Sequence, residues 1–292
     1  MSTVARERPP PAPAQRRRSV VDRALAFGDM HWLLVPGALL LLVVFVWPIG
    51  RLLLVSGQGD GLVANFTGAV TGASGAVMWR SIVISAVVTV VSVVVGFTFA
   101  HIAGRVLSAR AGQLLVTAVL VSLFLSIVVR GYAWLAILGR GGMVSDFFER
   151  VGMDVVLVPS QAGVVIGMCQ YTIPLMILPI YSAIVRYDRG FDFAAASLGA
   201  KQLRTFFTVY IPVIMSGIGA GCAIVFTVSI GYYVLPSILG GANNQMIGSI
   251  IAQKATRTLE TESASAISIV LLAISLLSFL IIFRATRRDY GS

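Results

Sequence analysis

Six long apolar runs separated by polar stretches make up most of the chain, near residues 33–55, 79–102, 114–138, 161–185, 213–239 and 264–283. A helix needs roughly 20 apolar residues to cross a hydrocarbon core about 30 Å thick, and each run has that length. The pattern predicts an all-α membrane protein with six transmembrane helices filling residues 33–284. Two shorter stretches carry helical period. In residues 143–151, Val144, Phe147, Phe148 and Val151 recur at i, i+3, i+4 and i+7. In residues 246–258, Ile247, Ile250, Ile251 and Lys254 do the same. Both read as amphipathic helices that lie on the membrane or form a floor for an external partner. Residues 1–32 are expected to form a disordered basic, Pro-rich tail that ends in an interfacial elbow helix over 20–32. Residues 285–292 form a short tail. No internal repeat is visible, which counts against the inverted-repeat secondary carriers.

Composition agrees with the pattern. Hydrophobic residues are 57% and charged ones 12%, about half the charged share of a soluble domain. The formal net charge is +10, but its placement speaks of topology, not nucleic acid. Fifteen of the 22 basic residues fall in the tail before the first run, the second and fourth connections and the C-terminal end. By the positive-inside rule those segments and both termini are expected to be cytoplasmic. Cys169 and Cys222 lie inside apolar runs without a metal-spaced partner, and His31 and His101 sit near run ends without a ligand cluster. No metal site and no catalytic constellation is predicted, and no nucleotide-cradling loop is present. ATP with Mg²⁺, if used, belongs to another chain.

None of the twelve acidic residues falls in the middle of a run, where an ion-coupled carrier would bind its coupling ion. Arg130 stands about 24 Å along the third run at 1.5 Å per residue and is expected, like Arg51, to snorkel to the outer boundary. The milder polar groups cluster. Gln170, Tyr171 and Thr172 precede Pro174 and Pro179 in the fourth run. In the fifth, Thr227, Ser229, Tyr232 and Tyr233 precede Pro236 and Gly240-Gly241. Two helices opened by proline, with hydroxyls at matching depth, suit the lining of a translocation pathway; interfacial tyrosines also occur in ordinary aromatic belts. From these residues alone, a self-sufficient secondary carrier or channel and a subunit of a larger transporter both remain open.

Residues 188–212 (DRGFDFAAASLGAKQLRTFFTVYIP) are too long for a plain connection between helices, which usually takes 2–8 residues. Ala194-Ala195, Gly199 and the close Val209-Tyr210-Ile211-Pro212 match, interval by interval, the EAA loop of permease subunits of binding-protein-dependent ABC importers. Residues 129–152 and 229–251 resemble the third- and fifth-span exits of the polyamine/opine/iron branch of that family. The resemblance implies a type I ABC importer permease of the bacterial inner membrane, forming half of a pathway for a small, polyamine-like solute. It also implies that Asp192, Phe193, Ala194, Ala195, Gly199, Ala200, Lys201, Arg204 and Pro212 form a cytoplasmic coupling helix and its exit. Partners implied are a dimer of cytoplasmic ATPase subunits, a second and usually non-identical permease, an extracytoplasmic solute-binding protein and membrane lipid. One position departs from the pattern: the family's Glu falls on Phe193, with Asp192 one residue earlier. Either Phe193 packs in an apolar groove and coupling is kept, or a partner permease carries the stroke.

Overall fold

A computed structural model describes residues 31–59, 61–153 and 155–287. The expected elbow and most of the basic tail lie outside the described residues. The chain divides into two compact units, Met1–Gly50 and Arg51–Ser292. Among the described residues there are helices and no strands. Six helical segments are long and apolar enough to cross a membrane: Val35–Ser56, Gly72–Val106, Ile127–Arg150, Gln161–Val185, Gln202–Ile230 and Thr261–Thr286.

In chain order the helices are α1 (His31–Ser56), α2 (Leu62–Val70), α3 (Gly72–His101), α4 (Ala109–Val121), α5 (Ile127–Leu138), α6 (Met143–Arg150) and α7 (Gln161–Val185). They continue with α8 (Gly190–Ser197), α9 (Gln202–Thr205), α10 (Ile211–Ile230), α11 (Val234–Leu239), α12 (Ile247–Gln253) and α13 (Thr261–Arg287). In the second unit α3, α7 and α10 pack on one another, α13 with α2 leans on α10, and α5 pairs with α11. Val88, Val164, Met176, Ile177, Ile180, Ile214 and Val225 are almost fully buried between them. Small residues set the spacing. A Cβ on Gly217 would stand 2.6 Å from Ala183 Cβ and 2.7 Å from the Pro179 carbonyl, so only glycine lets α10 meet α7 there. Such close approach is how helices associate where lipid removes the hydrophobic drive between them. The lipid-facing sides stay apolar, with Val90, Val94, Leu276, Leu277 and Ile281 exposed.

Several expectations need correction. The third predicted span, 114–138, is broken. α4 stops at Val121, a tight turn covers Ser122–Phe124, Leu125 is extended, and α5 starts at Ile127. Ser122 Oγ donates back to the Val119 carbonyl at 2.6 Å, the local competition by which serine ends a helix. Arg130 does not snorkel: it is 5% exposed. Its guanidinium donates to the carbonyl of Ser122 and, at 3.4 Å, to that of Leu125. These carbonyls lie where the helix breaks and lose their intrahelical partners, the Ser122 carbonyl keeping only the Leu125 amide at 3.3 Å, and a cation at a helix C-terminus is favoured by the dipole. The fifth predicted span, 213–239, starts earlier and ends earlier. The helix is already running at Gln202 and stops at Ile230, so Tyr232 and Tyr233 sit on the irregular link to α11. α6 forms as expected, and Phe147 and Val151 are exposed. α12 is not free on the surface: Ile247 is fully buried and Ile250 and Ile251 pack with it against α13. Arg80 of α3 ties down the preceding turn by donating to the carbonyls of Asn243 and Gln245 at 2.8 and 2.5 Å.

Candidate functional site

The stretch 188–212 folds as a short helix followed by the root of the fifth span. The Asp188 carboxylate accepts from the Gly190 amide at 2.8 Å, turning the chain into α8. The alanine run keeps that helix narrow. Its end is set by Gly199, at φ +79°, a left-handed conformation that glycine adopts without a Cβ penalty. The Ala200 amide donates to the Ala195 carbonyl at 3.0 Å and the Gly199 amide to Ala196 at 2.9 Å, the paired bonds of a Schellman C-cap. Lys201 is extended and opens α9, a π-helical turn covers Phe206–Tyr210, and Pro212 lies in the first turn of α10. Lys201 and Arg204 are exposed.

Two neighbouring residues of α8, about 100° apart around the helix, differ in their surroundings. Phe193 is 72% exposed, and Leu198, Leu203 and Phe207 are exposed with it. Asp192 faces the protein. Its Oδ2 accepts from Arg105 Nη2 at 2.8 Å and its Oδ1 from the Tyr187 hydroxyl at 2.7 Å. Arg105 stands on a second π-helical turn, Ile102–Val106, which ends the run of α3. Its guanidinium carbon lies 5.1 Å from the ring centre of Tyr187 and 4.8 Å from that of Tyr210. Tyr210 is fully buried, and its hydroxyl is 2.9 Å from His101 Nδ1. Phe206 packs edge-on against Phe97 and His101. A cavity of about 430 Å³ opens beside this cluster, lined by Arg105, Asp192, Phe193 and Phe206 among others.

Electrostatics keep this cluster charged where it must be. Partial burial on its own would raise the Asp192 carboxyl, but the bonds from Arg105 and Tyr187 and the Arg105 charge outweigh it and hold the group below the usual carboxylate range. Burial, then the bond to Asp192, pushes the Tyr187 phenol up to about 12, so it remains a donor.

The predicted pathway residues divide. Tyr171 and Tyr232 do meet, with ring centres 5.4 Å apart and planes 29° from parallel, and the Arg130 guanidinium covers Tyr171 at 5.4 Å. Around them Gln170 Oε1, Thr227 Oγ1, Ser229 Oγ and the Tyr232 hydroxyl have no hydrogen-bond partner. Thr172 turns the other way: its hydroxyl is 2.8 Å from Ser92 Oγ of α3 and donates to the Met168 carbonyl. Tyr233 is half-exposed. Sequence reasoning did not select Arg105, Tyr187, Tyr210 or His101. The one local signal was the four-residue spacing of His101 and Arg105, which puts both on one helix face. Among the described residues no group of three or more His, Cys, Asp or Glu could hold a metal.

This architecture defines an all-α, multi-span membrane permease. Residues 93–288 match the model of the binding-protein-dependent transport system inner membrane component family. The chain belongs to that family, as a permease of the type I ABC importer class. Such a subunit is not itself an enzyme. It is similar to the spermidine/putrescine transport system permease protein PotB of Haemophilus influenzae, 28% identical over 228 residues, covering 77% of this chain and 79% of that protein. PotB of Escherichia coli is likewise 28% identical, over 72% of this chain and 78% of its own length. In fold it is similar to a chain of a bacterial alginate ABC transporter crystallised in complex with an alginate pentasaccharide-bound periplasmic protein. That match has a TM-score of 0.72 at 16% identity, over 90% of this chain and 95% of the other.

Proposed function

We propose that this chain forms half of the translocation pathway of an importer and that α8 is the helix through which a cytoplasmic ATPase subunit drives it. The observation that carries the reading is the different setting of Asp192 and Phe193: a short, capped helix is bound to its own chain through Asp192 and offers the exposed Phe193 beside it. Exposed Phe193, Leu198 and Leu203 suit an apolar groove on the partner, with Lys201 and Arg204 free for acidic residues at its rim. In this reading Phe193 replaces the acid of the family pattern as a packing residue and coupling is kept. ATP and Mg²⁺ are held by the ATPase dimer and not by this chain.

The excess of basic residues on the segments flanking α8 supports cytoplasmic placement of that end and of both termini. The Tyr171–Tyr232 stack with the unpartnered hydroxyls and amide around it supports assignment of this face to the pathway, completed by a second, non-identical permease. An extracytoplasmic binding protein delivers the solute. Similarity to the spermidine/putrescine permeases supports a polyamine-like solute. The test is affinity purification of this chain in mild detergent from cells that express its neighbouring transporter genes. An ATPase subunit, a second permease and the binding protein are expected to co-purify. Isolation of the chain alone, with solute uptake intact, would overturn the reading.

A further inference from the structure

α8 has no buried side chain of its own, so little packing obliges it to move with the spans. Its polar links to other elements converge on one carboxylate. Asp192 accepts from Arg105, at the end of α3, and from Tyr187, just past the end of α7. Arg105 in turn packs against the rings of Tyr187 and Tyr210, which also touch each other edge-on, the latter at the root of α10. Tyr210 closes the circuit through its contact with His101 of α3. The three helices that meet here are the same three that pack together as the core. Both helix ends at the joint are π-helical turns, Ile102–Val106 and Phe206–Tyr210. Such turns hold one residue more than the α-helical register and recur at functional sites.

We propose that Asp192 is a positioning residue that joins α8 to α3, α7 and α10 of its own chain, so that displacement of α8 by a partner moves the spans as one body. This rests on the reading of α8 as the ATPase-docking helix and adds to it an intrachain role for the acid. The acid next to the family's Glu position does not reach the partner; it holds the lever to the load. A carboxylate that accepts from a guanidinium through one oxygen and from a phenol through the other is suited to this, because two donors on different elements fix its orientation.

The test places spin labels at Val106→Cys and Ser197→Cys, in a chain with Cys169→Ala and Cys222→Ala, within the full complex in nanodiscs. Their separation is measured by pulsed EPR in the nucleotide-free state and after trapping with ATP and vanadate. The joint predicts one narrow distance that is the same in both states. Asp192→Asn, nearly isosteric, is expected to broaden the distance and make it respond to trapping; Asp192→Glu is expected to keep the parent behaviour. If Asp192→Asn does not fold, the charge-exchanged double variant Arg105→Asp with Asp192→Arg carries the test, and is expected to restore the narrow distance. A parent distance that shifts on trapping, or an Asp192→Asn distance like the parent's, overturns the proposal. Loss of the ATPase subunit from the purified Asp192→Asn complex also overturns it, since it would place Asp192 at the partner surface. Absence of the ATPase from the parent complex would instead overturn the docking reading, independently of the joint.

Discussion

Replacing Phe193 by serine removes the largest exposed apolar group on α8 while leaving the joint at Asp192 untouched. A phenylalanine side chain buries about 150–250 Å² when fully enclosed. Phe193 is 72% exposed, which leaves roughly 110–180 Å² for a partner to cover, or about 3–4.5 kcal/mol as a ceiling at ~25 cal/mol/Å². Ordering the ring and incomplete enclosure reduce this, and a hot-spot aromatic typically contributes about 2 kcal/mol or more. That corresponds to a roughly 30-fold weaker hold on the ATPase. The helix itself should survive, because its cap is made by the backbone of Ala195, Ala196, Gly199 and Ala200. The assay is titration of the isolated ATPase subunit onto the permease pair in nanodiscs, followed by fluorescence anisotropy. Phe193→Leu is expected to retain most of the affinity and Phe193→Ser to lose it. Equal affinity for Phe193→Ser and the parent would refute the argument that this face docks.

Two further outcomes follow from other parts of the molecule. Asp192 has a folded-state value below the ordinary carboxylate range, so the joint's contribution is complete above an unfolded value of about 3.9 and fades only as pH falls through the lower folded one. The Val106–Ser197 label distance is therefore expected to stay constant between about pH 6 and pH 8; a change inside that window contradicts the assigned partners. Arg130→Met should remove the side-chain donor from the Ser122 and Leu125 carbonyls, leaving the former only the Leu125 amide, at a cost of about 1–3 kcal/mol, visible as a lower thermal midpoint in detergent. A midpoint equal to the parent's would show that the guanidinium does not hold the α4–α5 break.

Most of the fold was readable because a bilayer makes length and apolarity nearly sufficient evidence for a spanning helix. Four of the six runs map onto single continuous helices close to the expected places. The failures share a cause. The break at Ser122–Ser126 lies in a stretch as apolar as its neighbours. The Ser122 back-bond is local, but the guanidinium that covers the break comes from the next turn, which local pattern does not report. The fifth span ends at Ile230, and just beyond it Tyr232 stacks on a helix some 60 residues earlier in the chain, a contact local pattern does not report either. In 188–212, the helix and its Gly199 terminus follow from local propensities and lie where the spacing put them, whereas Pro212 does not start the fifth span, which is already helical from Gln202. The joint does not follow from local propensities. Arg105 and Asp192 are brought together by tertiary packing, and neither the single basic residue nor the single acid is unusual where it stands. The departure at Phe193 became interpretable only once the two faces of α8 were distinguished.

The most direct test of the central claim is site-specific photo-crosslinking from position 193. With a photoreactive phenylalanine analogue at that position in the assembled transporter in native membranes, illumination is expected to yield one dominant adduct, to the cytoplasmic ATPase subunit. Adducts only to lipid or to the second permease, from a complex that retains solute uptake, would contradict the assignment of α8 as the docking helix.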